Sequence, residues 1–205
     1  MIQIRNLSKE YRGEFLYHEF SCCFEANKVN VIMGNSGSGK TTLLRMMLGL
    51  EKYDAGEILG LEHEKIAVVF QEDRLIESLN VYENINFVLQ SYVEQEERYK
   101  RIEEVLEWVE LKPYKDFSIQ HLSGGMKRRV AVARALACDY PILFMDEPFK
   151  GLEDELKWRI LVKLKKKWQA NQTTVFYITH DEKEGMWVGD VCYKLVKKPV
   201  KFYKI

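Results

Sequence analysis

The sequence predicts an α/β fold: a mainly parallel sheet with covered faces, an antiparallel β subdomain at the N-terminus, and an inserted α-helical subdomain. Three observations carry this. Short apolar runs such as "KVNVIM", "KIAVVFQ", "PILFMDEP" and "TTVFYITH" read as buried strands and alternate with helical stripes. The two N-terminal segments, "MIQIRNL" and "EFLYHEFSCCFE", show partial alternation and read as half-buried strands. Midway, two helical patterns follow each other with no strand signal between them.

In chain order, the first two strands are expected to join through a polar turn at residues 9–14. "KVNVIM" is apolar, short and ends at Gly34, as a strand feeding a loop does. "TTLLRMMLGL" is apolar almost all round, which suits a buried helix. Asn80 with Glu83 three residues later resembles a capping box. Val81, Ile85, Val88, Leu89 and Tyr92 then follow at helical spacing, and Ile102, Val105, Leu106 and Val109 mark a second amphipathic helix. Leu156, Ile160, Leu161, Leu164 and Trp168 form a third stripe. The tail "YKLVKKPVKFYKI" reads as a hairpin turning near residues 198–199. The expected organisation is a single domain over residues 1–205. Its α/β core spans 1–71 and 136–205, and its helical lobe spans 72–135.

A chain of 205 residues is long enough to bury a real core. Lys and Arg number 31, as do Asp and Glu, so the charge balance offers no handle for nucleic acid or another polyanion. Cys22, Cys23, Cys138 and Cys192 form no Cys-x-x-Cys pair, and free buried thiols are expected rather than disulfides. The N-terminus lacks a basic-then-apolar leader, and no apolar run approaches the ~18 residues needed to span a bilayer. A cytoplasmic chain that meets a membrane only through a partner is the expectation. With the sequence ending at the terminal hairpin, a C-terminal regulatory domain is not expected.

"GNSGSGKTT" satisfies G-x-x-x-x-G-K-[ST] over residues 34–41, between an apolar strand and a helix. Gly34, Gly37 and Gly39 let backbone amides curl around a phosphate, and the helix start aims unpaired N–H groups at the same anion. Lys40 can bridge the outer phosphates, and the Thr41 hydroxyl can bind Mg²⁺. A plain Gly/Ser-rich surface loop is the competing reading. A chance match in a chain of this size is on the order of one in a hundred, so nucleotide binding is preferred.

Asp146 and Glu147 end an apolar strand, where carboxylates open into the crevice that holds ligands in α/β folds. Asp146 suits a magnesium-associated aspartate, and Glu147 suits a base that orients or deprotonates water. Gln71 and His180 each follow another apolar strand. Alone, either would be an ordinary loop residue. Together they put four polar groups at strand ends, as a hydrolytic phosphate site requires. Gln71 can reach Mg²⁺ or water, and His180 can donate to a γ-phosphate. His18, His63 and His121 have no such context and receive no chemistry.

The order of phosphate loop, Gln71, "LSGGM", "ILFMDEP" and His180 resembles the ATP-binding subunit of ABC transporters over essentially the whole chain. "LSGG" between the two nucleotide motifs is the most specific element. The phrasing of "VVFQEDRLIESLNVYENI" and "LSGGMKRRVAVARAL" is similar to importer ATPases of the nitrate/sulfonate/taurine type. The resemblance implies a phosphate-loop NTPase core of RecA-like form and hydrolysis of MgATP. It implies a head-to-tail dimer, either homodimeric or with a paired ATPase subunit, a transmembrane permease, and a solute-binding protein. The subunit would sit peripherally on the cytoplasmic face of the membrane. By position, Tyr11 matches the aromatic that stacks on adenine. Gly34, Asn35, Ser36, Gly37, Ser38, Gly39, Lys40, Thr41 and Thr42 match the phosphate loop. Gln71 matches the glutamine that senses nucleotide. Ser123, Gly124 and Gly125 match the signature that reaches ATP on the partner subunit. Asp146 matches the magnesium aspartate, Glu147 the catalytic glutamate and His180 the switch histidine.

There are departures. Met126 stands where the family most often has glutamine. "KGLED" replaces the usual Ser-Ala-Leu-Asp loop, so Glu153 stands for an aspartate, and its longer side chain is expected to loosen contacts across a dimer. The segment between residues 56 and 66 is clipped. A non-transport ABC ATPase acting on ribosomes or DNA is the alternative. Such proteins usually carry two cassettes or long coiled coils, and this chain shows one cassette and no sustained heptads. A binding module that has lost catalysis is disfavoured by the intact Lys40, Thr41, Asp146, Glu147 and His180.

Overall fold

The computed structural model describes residues 1–62, 64–196 and 199–205. Two sheets organise it. A three-stranded antiparallel sheet is ordered β2-β1-β4, from β1 (Ile2–Tyr11), β2 (Glu14–Phe24) and β4 (Ala55–Leu59). A six-stranded sheet contains β3 (Val29–Met33), β5 (Ile66–Val69), β6 (Ile142–Asp146), β7 (Thr174–Thr179), β8 (Val191–Val196) and β9 (Lys201–Lys204). Its order is β5-β6-β7-β3-β8-β9, parallel except for the last pair.

Period-2 geometry splits the central strands between two cores. Val31, Leu143, Met145, Val175 and Tyr177 face one core, where α5 (Asp154–Ala170) packs through Ile160, Leu161, Leu164 and Trp168. Ile32, Phe144, Phe176 and Ile178 face the other, against the antiparallel sheet and α1 (Lys40–Met47). Phe144 and Phe176 stack with centroids 4.4 Å apart, and Phe24 meets Phe176 edge-on at 5.0 Å. Such aromatic pairs are each worth about 0.5–1.5 kcal/mol beyond their buried area, and here they fix the antiparallel sheet against the central one.

Between β5 and β6 the chain forms α2 (Val81–Leu89), α3 (Gln95–Trp108), two short 3₁₀ turns and α4 (Gly124–Leu136). Asn80 and Glu83 form the reciprocal capping box, each side chain accepting from the other's backbone N–H at 2.8 Å. α2 stops at Leu89, so Tyr92 lies beyond it and is exposed, not on its stripe.

Several details differ from the sequence reading. The turn expected over residues 9–14 is only Arg12–Gly13, because β1 runs on to Tyr11. Both turn residues have positive φ, 52° and 84°, which suits a tight two-residue hairpin. The polar run "SKEY" hid the strand because its sheet face is partly exposed. The strand β4 and the short helix α6 (Glu182–Val188) were not anticipated. β4 is only five residues long and mostly exposed, and α6 is seven residues long, so neither develops a clear period. β8 and β9 form the expected hairpin; Lys198, in its expected turn, lies outside the described residues, as does His63. The four cysteines are free, but only Cys192 is buried and Cys23 is exposed.

Candidate functional site

The strand order reverses around β3, which lies between β7 and β8 although it precedes both in sequence. The crevice outside the carboxyl ends at such a switch is where open α/β sheets hold ligands. β3 delivers Gly34, β5 leads to Gln71, β6 ends on Asp146 and β7 leads to His180. A cleft of 840 Å³ opens there, lined by Tyr11, residues 35–42, Gln71, Glu147, Lys150 and His180 among others.

The loop after β3 owes its shape to glycine. Gly34 has φ 155°, and a Cβ there would meet the Leu195 carbonyl oxygen at 2.6 Å. Gly39, at φ 98°, precedes the first turn of α1, and its carbonyl accepts from the Tyr17 hydroxyl at 3.0 Å. Lys40 folds back under the loop and donates to the carbonyls of Gly34 at 2.6 Å and Asn35 at 2.9 Å. Burial pulls its ammonium pKa down, against the opposing pull of Glu147 and Asp146. Ser38 Oγ is buried with no hydrogen-bond partner among the described residues, a polar atom free to meet a ligand oxygen.

Thr41 Oγ1 donates to Asp146 Oδ2 at 2.8 Å, joining the helix start to the end of β6. Asp146 is 2% exposed. Burial pushes its carboxyl up, with the negative Glu147 adding to this and the Thr41 hydrogen bond opposing it. Asp146 faces an adjoining pocket with Thr41, Arg45, Phe70 and Gln71.

Glu147 adopts left-handed backbone, φ 47°, and its N–H donates to the Ile178 carbonyl at 2.9 Å. Its carboxylate bridges two cations or donors: Oε1 lies 3.1 Å from His180 Nδ1, and Oε2 lies 3.0 Å from Lys150 Nζ. Burial acts to raise its pKa, but the close Lys150 ammonium and the His180 ring outweigh it, so the carboxyl lies below its usual range. Tyr11 ends β1 at 45% exposure, donates its hydroxyl to Glu51, and has Lys9 Nζ 4.9 Å from its ring centroid.

Ser123, Gly124 and Gly125 do not join this group. Ser123 caps α4, accepting from Met126 N at 3.3 Å, and Ser123 and Gly124 are exposed. None of the three lines the cleft. Glu153 is exposed at the start of α5 with no capping hydrogen bond from its side chain.

Sequence reasoning missed Arg128. Its buried guanidinium donates to the carbonyls of Pro148 at 2.9 Å, Gln71 at 3.2 Å, Asp146 at 2.7 Å and Glu147 at 2.9 Å, and to that of Phe70. It also pairs with Asp73 at 3.2 Å. In "MKRRVAV" it is one of three consecutive basic residues, with no local signal that it points inward. Lys150 was missed as well, inside a loop read only for its acidic residue.

A family model described as ABC transporter matches residues 17–150. The sn-glycerol-3-phosphate import ATP-binding protein UgpC of Ruegeria pomeroyi is 35% identical over 92% of this chain and 57% of that protein. The sulfate/thiosulfate import ATP-binding protein CysA of Synechococcus elongatus is 35% identical over 92% and 58%. The spermidine/putrescine import ATP-binding protein PotA of Clostridium novyi is 33% identical over 93% and 58%. The chain thus spans somewhat over half the length of these relatives. The dimeric structure of MJ0796, a bacterial ABC transporter cassette, superposes with a TM-score of 0.85 at 31% identity, covering 95% of this chain and 94% of that one. A dimeric post-hydrolysis state of the same cassette, bound to ADP and Pi, gives 0.86 at 30% identity over 100% and 98%. With a phosphate loop, strand-end carboxylates and a matching fold in one crevice, the chain belongs to the ABC transporter family, as one of its ATP-binding domains.

Proposed function

We propose that the chain is the ATP-hydrolysing motor of an importer, working as a head-to-tail pair beneath a separate membrane permease. The observation that carries this is the convergence of Thr41–Asp146 and Glu147–His180 beside the phosphate loop. Residues 35–42 offer amides and hydroxyls to the phosphates, with Lys40 exchanging its loop carbonyls for phosphate oxygens. Tyr11 stacks on the base. Glu147, ionised, accepts the proton of an attacking water, and His180 orients it and contacts the γ-phosphate. Ser123 and Gly124, exposed, and the half-buried Gly125, all outside the cleft, complete the site of a second copy.

Mg²⁺ fits the hydroxyl and carboxylate oxygens that Thr41 and Asp146 hold 2.8 Å apart, with the Gln71 amide nearby in the same pocket. Few protein ligands suit this ion, which keeps waters and binds phosphate. When bound, it supplies neutralising charge to the outer phosphate oxygens.

Import is favoured because the named relatives are all import proteins. Their solutes differ from one another, so the nitrate/sulfonate/taurine likeness remains one proposal among importer types. No helix among the described residues is long and apolar enough to cross a membrane. That is compatible with peripheral attachment through the lobe at 72–135 to a permease, with a solute-binding protein delivering cargo. Reconstitution of the chain with its membrane subunit tests the whole reading: ATP turnover stimulated by solute is expected, and turnover unaffected by that subunit would overturn it.

A further inference from the structure

The turn after β6 carries a cation that the phosphate-loop chemistry does not use. The Lys150 N–H donates to the Glu147 carbonyl at 3.3 Å, and Gly151 follows with φ 78°. This turn brings the Lys150 side chain back over the Glu147 carboxylate, with Nζ 3.0 Å from Oε2. His180 Nδ1 lies on Oε1, while Oε2, buried and with no hydrogen-bond partner among the described residues, has the Lys150 ammonium beside it as an ion pair. A carboxylate facing a cation at one oxygen and a ring nitrogen at the other is less ready to accept a proton from water. Serine, usual at this point in the family that the sequence resembles, is neutral and too short for such a bridge.

Lys150 also borders the cleft, together with Lys40 and residues 35–42. Two ammonium groups facing one cavity repel each other, and a multiply charged anion between them relieves that repulsion. The Lys150 side chain is 55% exposed, so its bond to Glu147 is a weak, exchangeable one.

We infer that Lys150 is a terminal-phosphate contact that clamps the Glu147 carboxylate until ATP arrives, whereupon the triphosphate draws the lysine away and frees the base. This rests on the proposed ATPase reading. It makes the nucleotide itself the release signal for Glu147. It also separates ATP from ADP, because only the longer chain of phosphates extends to the Glu147 and Lys150 end of the cleft.

The test uses the full chain with Mg²⁺, titrated calorimetrically with ADP and a non-hydrolysable ATP analogue, in wild type, Lys150→Gln, Lys150→Arg and Lys40→Ala. Lys150→Gln is expected to weaken the ATP analogue about five- to tenfold, in the range of an exposed charge-assisted contact. ADP affinity should change less than about twofold, and Lys150→Arg should restore discrimination. In steady-state turnover the loss in Lys150→Gln should fall on KM more than on kcat. Equal losses for both nucleotides, or no loss while Lys40→Ala loses binding, would overturn this inference and leave the ATPase reading standing. Failure of the wild type to bind either nucleotide would overturn both.

Discussion

Arg128 Nη2 donates to the carbonyl oxygen of Asp146 at 2.7 Å, so α4 holds the strand end that carries the carboxylate pair. The same guanidinium reaches the backbone at Gln71, Glu147 and Pro148. The loops after β5 and β6 thus both hang on one buried side chain. The planar fork satisfies acceptors that a lysine, with one point charge, cannot. Arg128→Lys is expected to cost about 3 kcal/mol, since it leaves buried carbonyls unpaired. For a domain of this size, that lowers Tm by about 6–12 °C. Thermal unfolding followed by circular dichroism checks it, and a fall of under 2 °C would show that water or rearrangement replaces the fork.

Lys40 has two roles to lose. In this structure it ties the loop by binding the Gly34 and Asn35 carbonyls, and it is 6% exposed. Lys40→Ala removes that internal cap and, on the proposed reading, a charge-assisted phosphate contact. Nucleotide affinity should fall at least about tenfold, read by calorimetric titration. Unchanged affinity would mean that loop amides alone hold the phosphates.

Glu147→Gln keeps the shape of the side chain and removes its charge. Nucleotide binding should persist, and an ATP-bound dimer should accumulate because the hydrolytic step proposed to separate the subunits is lost. Turnover should drop by about 10²-fold or more, the scale of general-base catalysis. Size-exclusion chromatography with ATP and a phosphate-release assay read the two halves. Near-normal turnover would remove Glu147 from the base role.

Much of this was legible in the sequence because the phosphate loop and strand-end residues are local signals: a glycine spacing, or a polar group closing an apolar run. Gly34, Gln71, Asp146 and His180 needed no tertiary knowledge to be placed at strand ends. Arg128 and Lys150 were not legible. A basic residue looks the same in sequence whether it faces solvent or threads inward to carbonyls 18 to 58 positions away. The strand β4 was hidden because its residues are mostly exposed and only its end, through Ile58, packs against the core. β1 itself was read short because its last residues are polar and exposed.

Ser123 carries the prediction that concerns assembly. It caps α4 through a 3.3 Å bond from Met126 N, is exposed, and lies outside the cleft formed by its own chain. An exposed helix start with two glycines can present amides to an anion. If that anion is the γ-phosphate held by a second copy, Ser123→Arg should block the ATP-dependent dimer and abolish cooperative hydrolysis. Loss of the cap should cost only about 1 kcal/mol of stability, so the fold survives. Single-chain nucleotide affinity should stay close to wild type, because Ser123 does not touch that chain's cleft. The measurements are the Hill coefficient of turnover and the dimer fraction of Glu147→Gln carrying Ser123→Arg. Cooperative turnover unchanged in Ser123→Arg would mean that the signature does not complete a neighbour's site.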